Sequence, residues 1–236
     1  MNDDSDANSS LDYRDEKLTP MRKIIARRMT ASKSQVPHYY LTMTIDMRAA
    51  VNLRNEVNES SGEKISFNDF IIKAVTLALQ QYPIVNASFQ GETIRYHEQI
   101  HIGVAVALTD GLVVVVIRNC QLKTLHQIAR EATDLAERAK MKRIRAHEVK
   151  GSTFTISNLG MYGVDNFTAV INQPEAAILA VSAIQSKPMV ENEQIVVGQL
   201  MQVTLACDHR VIDGAVGAAF LKAVKQFLEN PSFLLN

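Results

Sequence analysis

Two short stretches hold the residues best able to do chemistry. In LACDHRVIDGAVG, residues 205 to 217, a β-type run stops at Cys207 and a helical run starts near Gly214. Strand-to-helix junctions are a common address for reactive groups. His209 is the residue of this segment whose ordinary pKa of about 6.5 lets it accept a proton at neutral pH, as a general base must. Asp208, Arg210 and Asp213 set charges around it. A plainer reading also fits: Asp213 caps the last helix, Gly214 makes a turn, and His209 is a hydrogen-bonded loop histidine. In GSTFTISNLGMYG, residues 151 to 163, a strand rich in Thr and Phe ends in Ser157, Asn158 and glycines. The Ser157 hydroxyl could donate to an oxyanion, or satisfy turn backbone groups before Gly160. Cys207 and His209 stand two apart, a spacing that shares one strand face and admits a Cys/His acyl-enzyme. Against that, a cysteine ending an apolar strand is ordinarily a small core residue.

The elements that must hold these residues follow from hydrophobic period. Thr19 and Pro20 supply a cap and first turn, and Met21, Ile24, Ile25 and Met29 recur at helical spacing to about Ser32. From Tyr39 to Asp46 apolar and polar residues alternate as in a half-buried strand. Helical stripes are predicted at 47–59 and 66–81, the second opened by a Ser66/Asp69 capping pattern. A strand at 100–108, a Thr109, Asp110, Gly111 turn and a Val-rich strand at 112–117 come next; the Val-rich run is expected to be buried on both faces. A helix is marked by Leu125, Ile128, Ala132, Leu135 and Ala139. Short strands are predicted at 153–157, 177–184, 194–197 and 200–207, and a last helix at 214–228. The sum is an α/β chain, a mixed sheet covered by helices.

Composition narrows the function. The chain has 236 residues, with 25 Lys plus Arg balancing 25 Asp plus Glu. A neutral chain without a basic stripe lacks the footprint of nucleic-acid binding. No apolar run reaches the roughly 20 residues a membrane helix needs. The first ten residues are acidic and polar, unlike a secretory or mitochondrial leader. Cys120 and Cys207 are too few for a disulfide framework and have no metal-ligand spacing, so no metal is expected and a reducing compartment fits. Residues 1–15 have the composition of a linker remnant, which leaves 16–236 as one domain.

The segment DHRVIDGA resembles the catalytic signature of the dihydrolipoamide acyltransferases, the core components of 2-oxo acid dehydrogenase complexes. ARRM at 26–29, VPHYYLT at 36–42, ISFNDFIIKA at 65–74, DGLVVVVIRN at 110–119, FTISNLGMYGVDNFTAVIN at 154–172 and PEAAILAV at 174–181 follow in the family's order. One departure is Val115, where the family commonly has proline. The resemblance implies a two-layer fold like chloramphenicol acetyltransferase. It implies transfer of an acyl group between dihydrolipoamide and coenzyme A, with His209 as base and Ser157 as oxyanion donor. Asp213 would fix the loop, pairing with Arg27 or Arg28. Arg54 would be a coenzyme A phosphate contact, and Ser66 would lie near the pantetheine arm. The family forms homotrimers with His209 from one subunit and Ser157 from the next, built into cubic or dodecahedral cores of twenty-four or sixty subunits. Lipoyl domains, a decarboxylase and a dihydrolipoamide dehydrogenase are the implied partners, in the bacterial cytoplasm or the mitochondrial matrix. The text around both motifs is most like acetyl-transferring members of pyruvate dehydrogenase complexes, since succinyl-transferring ones tend to carry arginine at the place of Ala215. Acetoin and branched-chain acyltransferases, an inactive core scaffold and a soluble acetyltransferase of small molecules stay open as alternatives.

Overall fold

The first helix starts where its cap requires. In the computed structural model, which describes residues 13–62, 64–108 and 111–235, the Thr19 hydroxyl accepts from the Arg22 N–H at the start of α1 (Pro20–Gln35). The expected linker lies outside the described residues up to residue 12, as does the Thr109–Asp110 turn. After α1 come β1 (His38–Asp46), α2 (Arg48–Ser61) and α3 (Phe67–Gln81), then a small hairpin of β2 (Ala87–Phe89) and β3 (Ile94–Tyr96). They are followed by β4 (Ile102–Leu108), β5 (Gly111–Ile117), α4 (Leu125–Lys140), β6 (Phe154–Asn158), β7 (Ala177–Glu191), β8 (Gln194–Asp208) and α5 (Gly214–Glu229). Among the described residues no helix is long and apolar enough to cross a membrane.

Six strands form one sheet in the order β1-β8-β7-β6-β4-β5. The pairs β4/β6 and β6/β7 run parallel and the others antiparallel, so the sheet is mixed as expected. Helices α2 to α5 cover one face, where Phe154 of β6 meets Phe220 of α5 with ring centroids 5.7 Å apart. A smaller cluster of Val36, Ile171, Ile178 and Ala206 closes part of the other face. Here α1 is tied down by the Ser32 hydroxyl, which donates to the Ile171 carbonyl over 2.6 Å.

Two strand expectations need correction. β5 is the outer strand of the sheet, so only Val115 to Ile117 are buried and Leu112 is 45% exposed. Val115 itself sits in unbroken register opposite Val104, so β5 pairs regularly without the proline. The two strands expected at 194–197 and 200–207 are one. Gly198 does not turn the chain; it pairs with Lys187 across the ribbon, and a Cβ there would collide with the sulfur of Met189, whose side chain lies over it. The β2/β3 hairpin went unforeseen because three-residue strands are too short to show a period.

Between α2 and α3 the chain is clamped by Asn58, which accepts from the Ile65 N–H at 2.8 Å and donates to the Ile65 carbonyl at 3.0 Å. Ser66 then caps α3 reciprocally: its Oγ accepts from the Asp69 N–H, while Asp69 Oδ2 accepts from the Ser66 N–H at 2.8 Å and hydroxyl at 2.6 Å. In the turn leading to β7, Glu175 is 3% exposed. Burial pushes its carboxyl up to about 7, against the pull of hydrogen bonds from Ser152 at 2.5 Å and Asn172 at 2.8 Å.

Two stability outcomes follow. A Ser66→Ala chain should lose about 1 kcal/mol in urea unfolding, the usual worth of such a cap. Glu175 is held above the ordinary glutamate value of 4.5, so its contribution is complete below that pH and lost as pH rises to about 7. Glu175→Gln should therefore flatten the fall in stability between pH 4.5 and 7, by up to about 3 kcal/mol, in unfolding titrations across that range.

Candidate active site

His209 is the first residue past β8, and what holds it is mostly backbone. Its N–H donates to the Pro37 carbonyl at 3.1 Å, and its exposed imidazole lies against the Tyr39 ring with centroids 4.5 Å apart and planes at 47°. Tyr39 stands opposite Cys207 in the β1/β8 register. Its hydroxyl is buried and makes no hydrogen bond. α5 comes this close because residue 217 is glycine: a Cβ there would sit 2.9 Å from the Tyr39 hydroxyl oxygen. Burial, with the nearby Cys207 adding to it, holds the Tyr39 phenol well above its usual range.

Cys207 is fully buried among the core residues. Burial pushes its thiol up to about 12, so it is a thiol rather than a thiolate at neutral pH. On the other side of His209, the buried Asp208 carboxylate accepts from Arg210 three times: from the N–H at 3.0 Å, Nε at 2.9 Å and Nη2 at 2.7 Å. The Arg210 guanidinium lies 4.1 Å above the centroid of the Phe89 ring.

Asp213 is the cap residue of α5, exposed, and its side chain makes no cap hydrogen bond. The pairing expected with Arg27 or Arg28 is not formed within the chain. α1 lies on the far face of the sheet from α5, where Arg28 donates to Asn172 Oδ1 and to the Gln173 carbonyl, each at 3.1 Å.

Ser157 is the penultimate residue of β6. Phe154 and Ile156 point into the helical layer, so strand alternation turns Ser157 to the other face. There it heads a row across the sheet, Ser157, Ala180, Thr204, Thr42, in which the two threonine hydroxyls are 2.9 Å apart. His209 lies five residues beyond Thr204. At about 3.3 Å per residue and about 4.8 Å per strand, His209 and Ser157 of one chain are nearly 20 Å apart, whereas direct proton transfer needs contact at about 3 Å.

Arg54 and Ser66 do adjoin. Arg54 Nε donates to the Ile65 carbonyl at 2.9 Å and its guanidinium lies 4.6 Å above the Phe67 centroid. His38, His97 and His101 are hydrogen-bonded within the fold. His38 contacts the Val36 carbonyl through Nδ1 at 2.8 Å and accepts from the Ile171 N–H at Nε2. His101 accepts from the Asn119 N–H, and burial lowers the pKa of both His97 and His101. A cavity of about 950 Å³ between α1 and the β5 edge is lined by Met21, Ile25, Met29 and Val113, and by none of His209, Ser157, Asp213, Arg54 and Ser66. The supports Tyr39, Asp208, Arg210 and Phe89 are not evident as a group from sequence, because the β1/β8 pairing brings Tyr39 to the loop and the separate β2/β3 hairpin, bonded through the Ala87 carbonyl to the Ala176 N–H, brings Phe89.

Comparison with known proteins gives the family. The sequence model of the 2-oxoacid dehydrogenases acyltransferase (catalytic domain) family matches residues 10–236. The dihydrolipoyllysine-residue acetyltransferase component of the pyruvate dehydrogenase complex of Rickettsia felis is 45% identical over 219 residues, which cover 91% of this chain and 53% of that protein. The chain thus spans about half the length of the relatives it matches. Among solved structures, the cubic core of a pyruvate dehydrogenase multienzyme complex superposes with a TM-score of 0.92 at 32% identity, covering 98% of this chain and 97% of that one. The dihydrolipoamide acetyltransferase of Azotobacter vinelandii gives 0.91 at 32%, with 95% of each chain covered. In that enzyme a serine, a histidine fifty-two residues later and an asparagine four residues further have been investigated for their role in catalysis. Chloramphenicol acetyltransferase, at 14% identity and a TM-score of 0.52 over 86% of this chain and 94% of that one, shares the fold. A family match over nearly the whole chain, and a solved core that superposes along its full length, place this protein in the 2-oxo acid dehydrogenase acyltransferase catalytic-domain family.

Proposed function

We propose that the chain is a dihydrolipoamide acetyltransferase, the core of a pyruvate dehydrogenase complex, and that each active site joins His209 of one subunit to Ser157 of its neighbour. The observation that carries this reading is the exposed His209 imidazole, held against Tyr39 at the mouth of the β8/α5 junction. The spacing of Ser157, His209 and Asp213 equals that of the serine, histidine and asparagine of the Azotobacter enzyme, with Asp213 in the asparagine's place.

In the reaction, neutral His209 takes the proton of the coenzyme A thiol, whose ordinary pKa resembles the roughly 8.5 of free cysteine. The thiolate adds to the carbonyl carbon of S-acetyldihydrolipoamide. The Ser157 hydroxyl, which makes no hydrogen bond within its own described chain, donates to the resulting oxyanion. The carbon–sulfur bond to dihydrolipoamide then breaks, and imidazolium His209 returns its proton to the departing sulfur. One thioester replaces another, so the protein supplies proton transfer, positioning and charge stabilisation.

Asp213, four residues past His209 at the cap of α5, would steady the loop from the first turn of the helix. Arg54, anchored through Nε, presents the rest of its guanidinium to a coenzyme A phosphate. The Ser66 hydroxyl is engaged by the α3 cap, so its part beside the pantetheine arm would be through the joint it stabilises. The nearly 20 Å between His209 and Ser157 supports a site shared by subunits, hence a homotrimer assembled into a larger cubic or dodecahedral core. The lipoyl group would arrive on a separate domain, loaded by the decarboxylase and reoxidised by the dehydrogenase component, in bacterial cytoplasm or mitochondrial matrix.

The test is the rate of transfer from acetyl, isobutyryl and succinyl coenzyme A to dihydrolipoamide. Acetyl should be fastest. His209→Ala should lose at least about 10³-fold, Ser157→Ala about 10² to 10³-fold, and Cys207→Ala should stay close to native. Arg54→Met should raise the KM for coenzyme A more than it lowers kcat. Absence of transfer from all three donors would refute the catalytic reading and favour the scaffold.

A further inference from the structure

His209 is flanked by two charges that the reaction does not consume. Asp208 is 3% exposed, and a carboxylate that deep needs a partner. Arg210 provides it through a planar fork, with Nε and Nη2 on the two carboxylate oxygens. The Arg210 N–H also donates to Asp208 Oδ1 at 3.0 Å, so the side chain of one neighbour of His209 is bonded to the main chain of the other. Around this closed turn the backbone is saturated. The Asp208 N–H donates to the Ala176 carbonyl at 2.8 Å, and the Asp208 carbonyl accepts from Val211 and Ile212 at 3.0 Å each. The flat face of Arg210 rests on Phe89, whose β2 strand accepts the Ala176 N–H at the Ala87 carbonyl.

We propose that the Asp208–Arg210 pair, seated on the Phe89 ring, is the positioning element of His209, fixing the main chain on both its sides and keeping a compensated charge beside its ring. The β2/β3 hairpin thereby acquires a purpose, as the platform for the guanidinium. The inference rests on His209 being the base. The groups facing His209 are Tyr39 from β1, Cys207 from β8, Asp208 and Arg210 from its own turn, and Asp213 from α5. Tyr39 and Cys207 are held in their uncharged forms by burial. Arg210 is therefore the one cation among them, and without it Asp208 and Asp213 would both favour the protonated imidazole.

Steady-state kinetics on the assembled protein test this with four variants beside the native chain. Arg210→Gln should lower kcat about tenfold or more with the KM for coenzyme A within about twofold, and should move the acidic limb of the kcat/KM profile to higher pH. Asp208→Asn combined with Arg210→Gln removes both charges, so the limb should return while kcat stays low. Arg210→Lys should keep the limb but not the full kcat, because an ammonium lacks the planar fork. Phe89→Leu should lower kcat severalfold with the limb unmoved. Native kcat in both Arg210→Gln and Phe89→Leu would overturn the inference, and so would an Arg210→Gln loss of kcat with an unmoved limb, which a merely structural role would give. If Arg210→Gln does not fold, Arg210→Lys and Phe89→Leu decide: native kcat in both overturns it, and reduced kcat at native KM supports it. A native chain that transfers no acetyl would instead sink the proposed function, and this inference with it.

Discussion

Everything at the candidate site depends on where β8 stops. That strand lies between β1 and β7 over its C-terminal half, in unbroken register with β1 and, past a bulge between Val181 and Ile184, with β7, and the two ladders end at Asp208 and Cys207. Two ladders fix the end of a strand far better than one, because a slip of one residue would turn every buried side chain of β8 to the wrong face. Cys207 is thereby locked into the core, and Asp208 into the turn. His209 is the first residue free of the ladder. An exposed imidazole could sample many directions, and here its main chain is set by the sheet edge, by Pro37 and by the neighbouring ion pair. The base of the proposed reaction is thus placed by β-pairing, and the flexible part of the problem shrinks to two side-chain torsions.

The same sheet separates the base from the oxyanion donor. Parallel pairing of β6 with β7 puts Ser157 level with Ala180, deep in the sheet and on the face away from α3, α4 and α5. That face is unusually polar for a sheet interior, with Thr155, Ser157, Ser182 and Thr204 where aliphatic residues would ordinarily sit. Such a surface is poorly suited to burial under a second hydrophobic layer of its own chain, and among the described residues the end of α1 and the segment around Ile171 lean on it. A neighbouring subunit bringing its own His209 would satisfy both the geometry and the polarity.

Much of this was legible in the sequence, for definable reasons. The α3 cap, the α1 cap and the β1 alternation are local signals, and each forms as spelled by Ser66, Thr19 and the residues from Tyr39 onward. The β8 strand reads as two because Gly198 looks like a turn until it is seen paired with Lys187 and covered by the Met189 side chain. β5 was overburied because a Val-rich run tells how apolar a strand is and not whether it has a neighbour on both sides. The motif around His209 was legible, whereas its supports were not. Tyr39, Phe89 and Gly217 come from three elements far apart in the chain, and only the β1/β8 register and the α5 approach bring them to one loop. That Asp213 does not meet Arg27 or Arg28 within one chain has the same kind of reason, since the layer that holds α1 cannot be read from its residues.

Cys207 shows how burial selects a mechanism. A thiol two residues from a base is the arrangement of a Cys/His acyl-enzyme, and the sequence alone permits it. In the fold, consecutive constraints remove that option. The strand points Cys207 into the core, where burial keeps the proton on sulfur, and the Tyr39 ring stands against the imidazole on the side from which β1 approaches. A buried thiol would have to lose that proton away from solvent, and the Tyr39 hydroxyl beside it does not offset the burial. The coenzyme A thiol meets no such barrier, because it can reach an imidazole that faces solvent. Between two thioesters of similar energy, an extra covalent intermediate on Cys207 would add a desolvation cost without lowering either barrier, so direct transfer is the route that this packing favours.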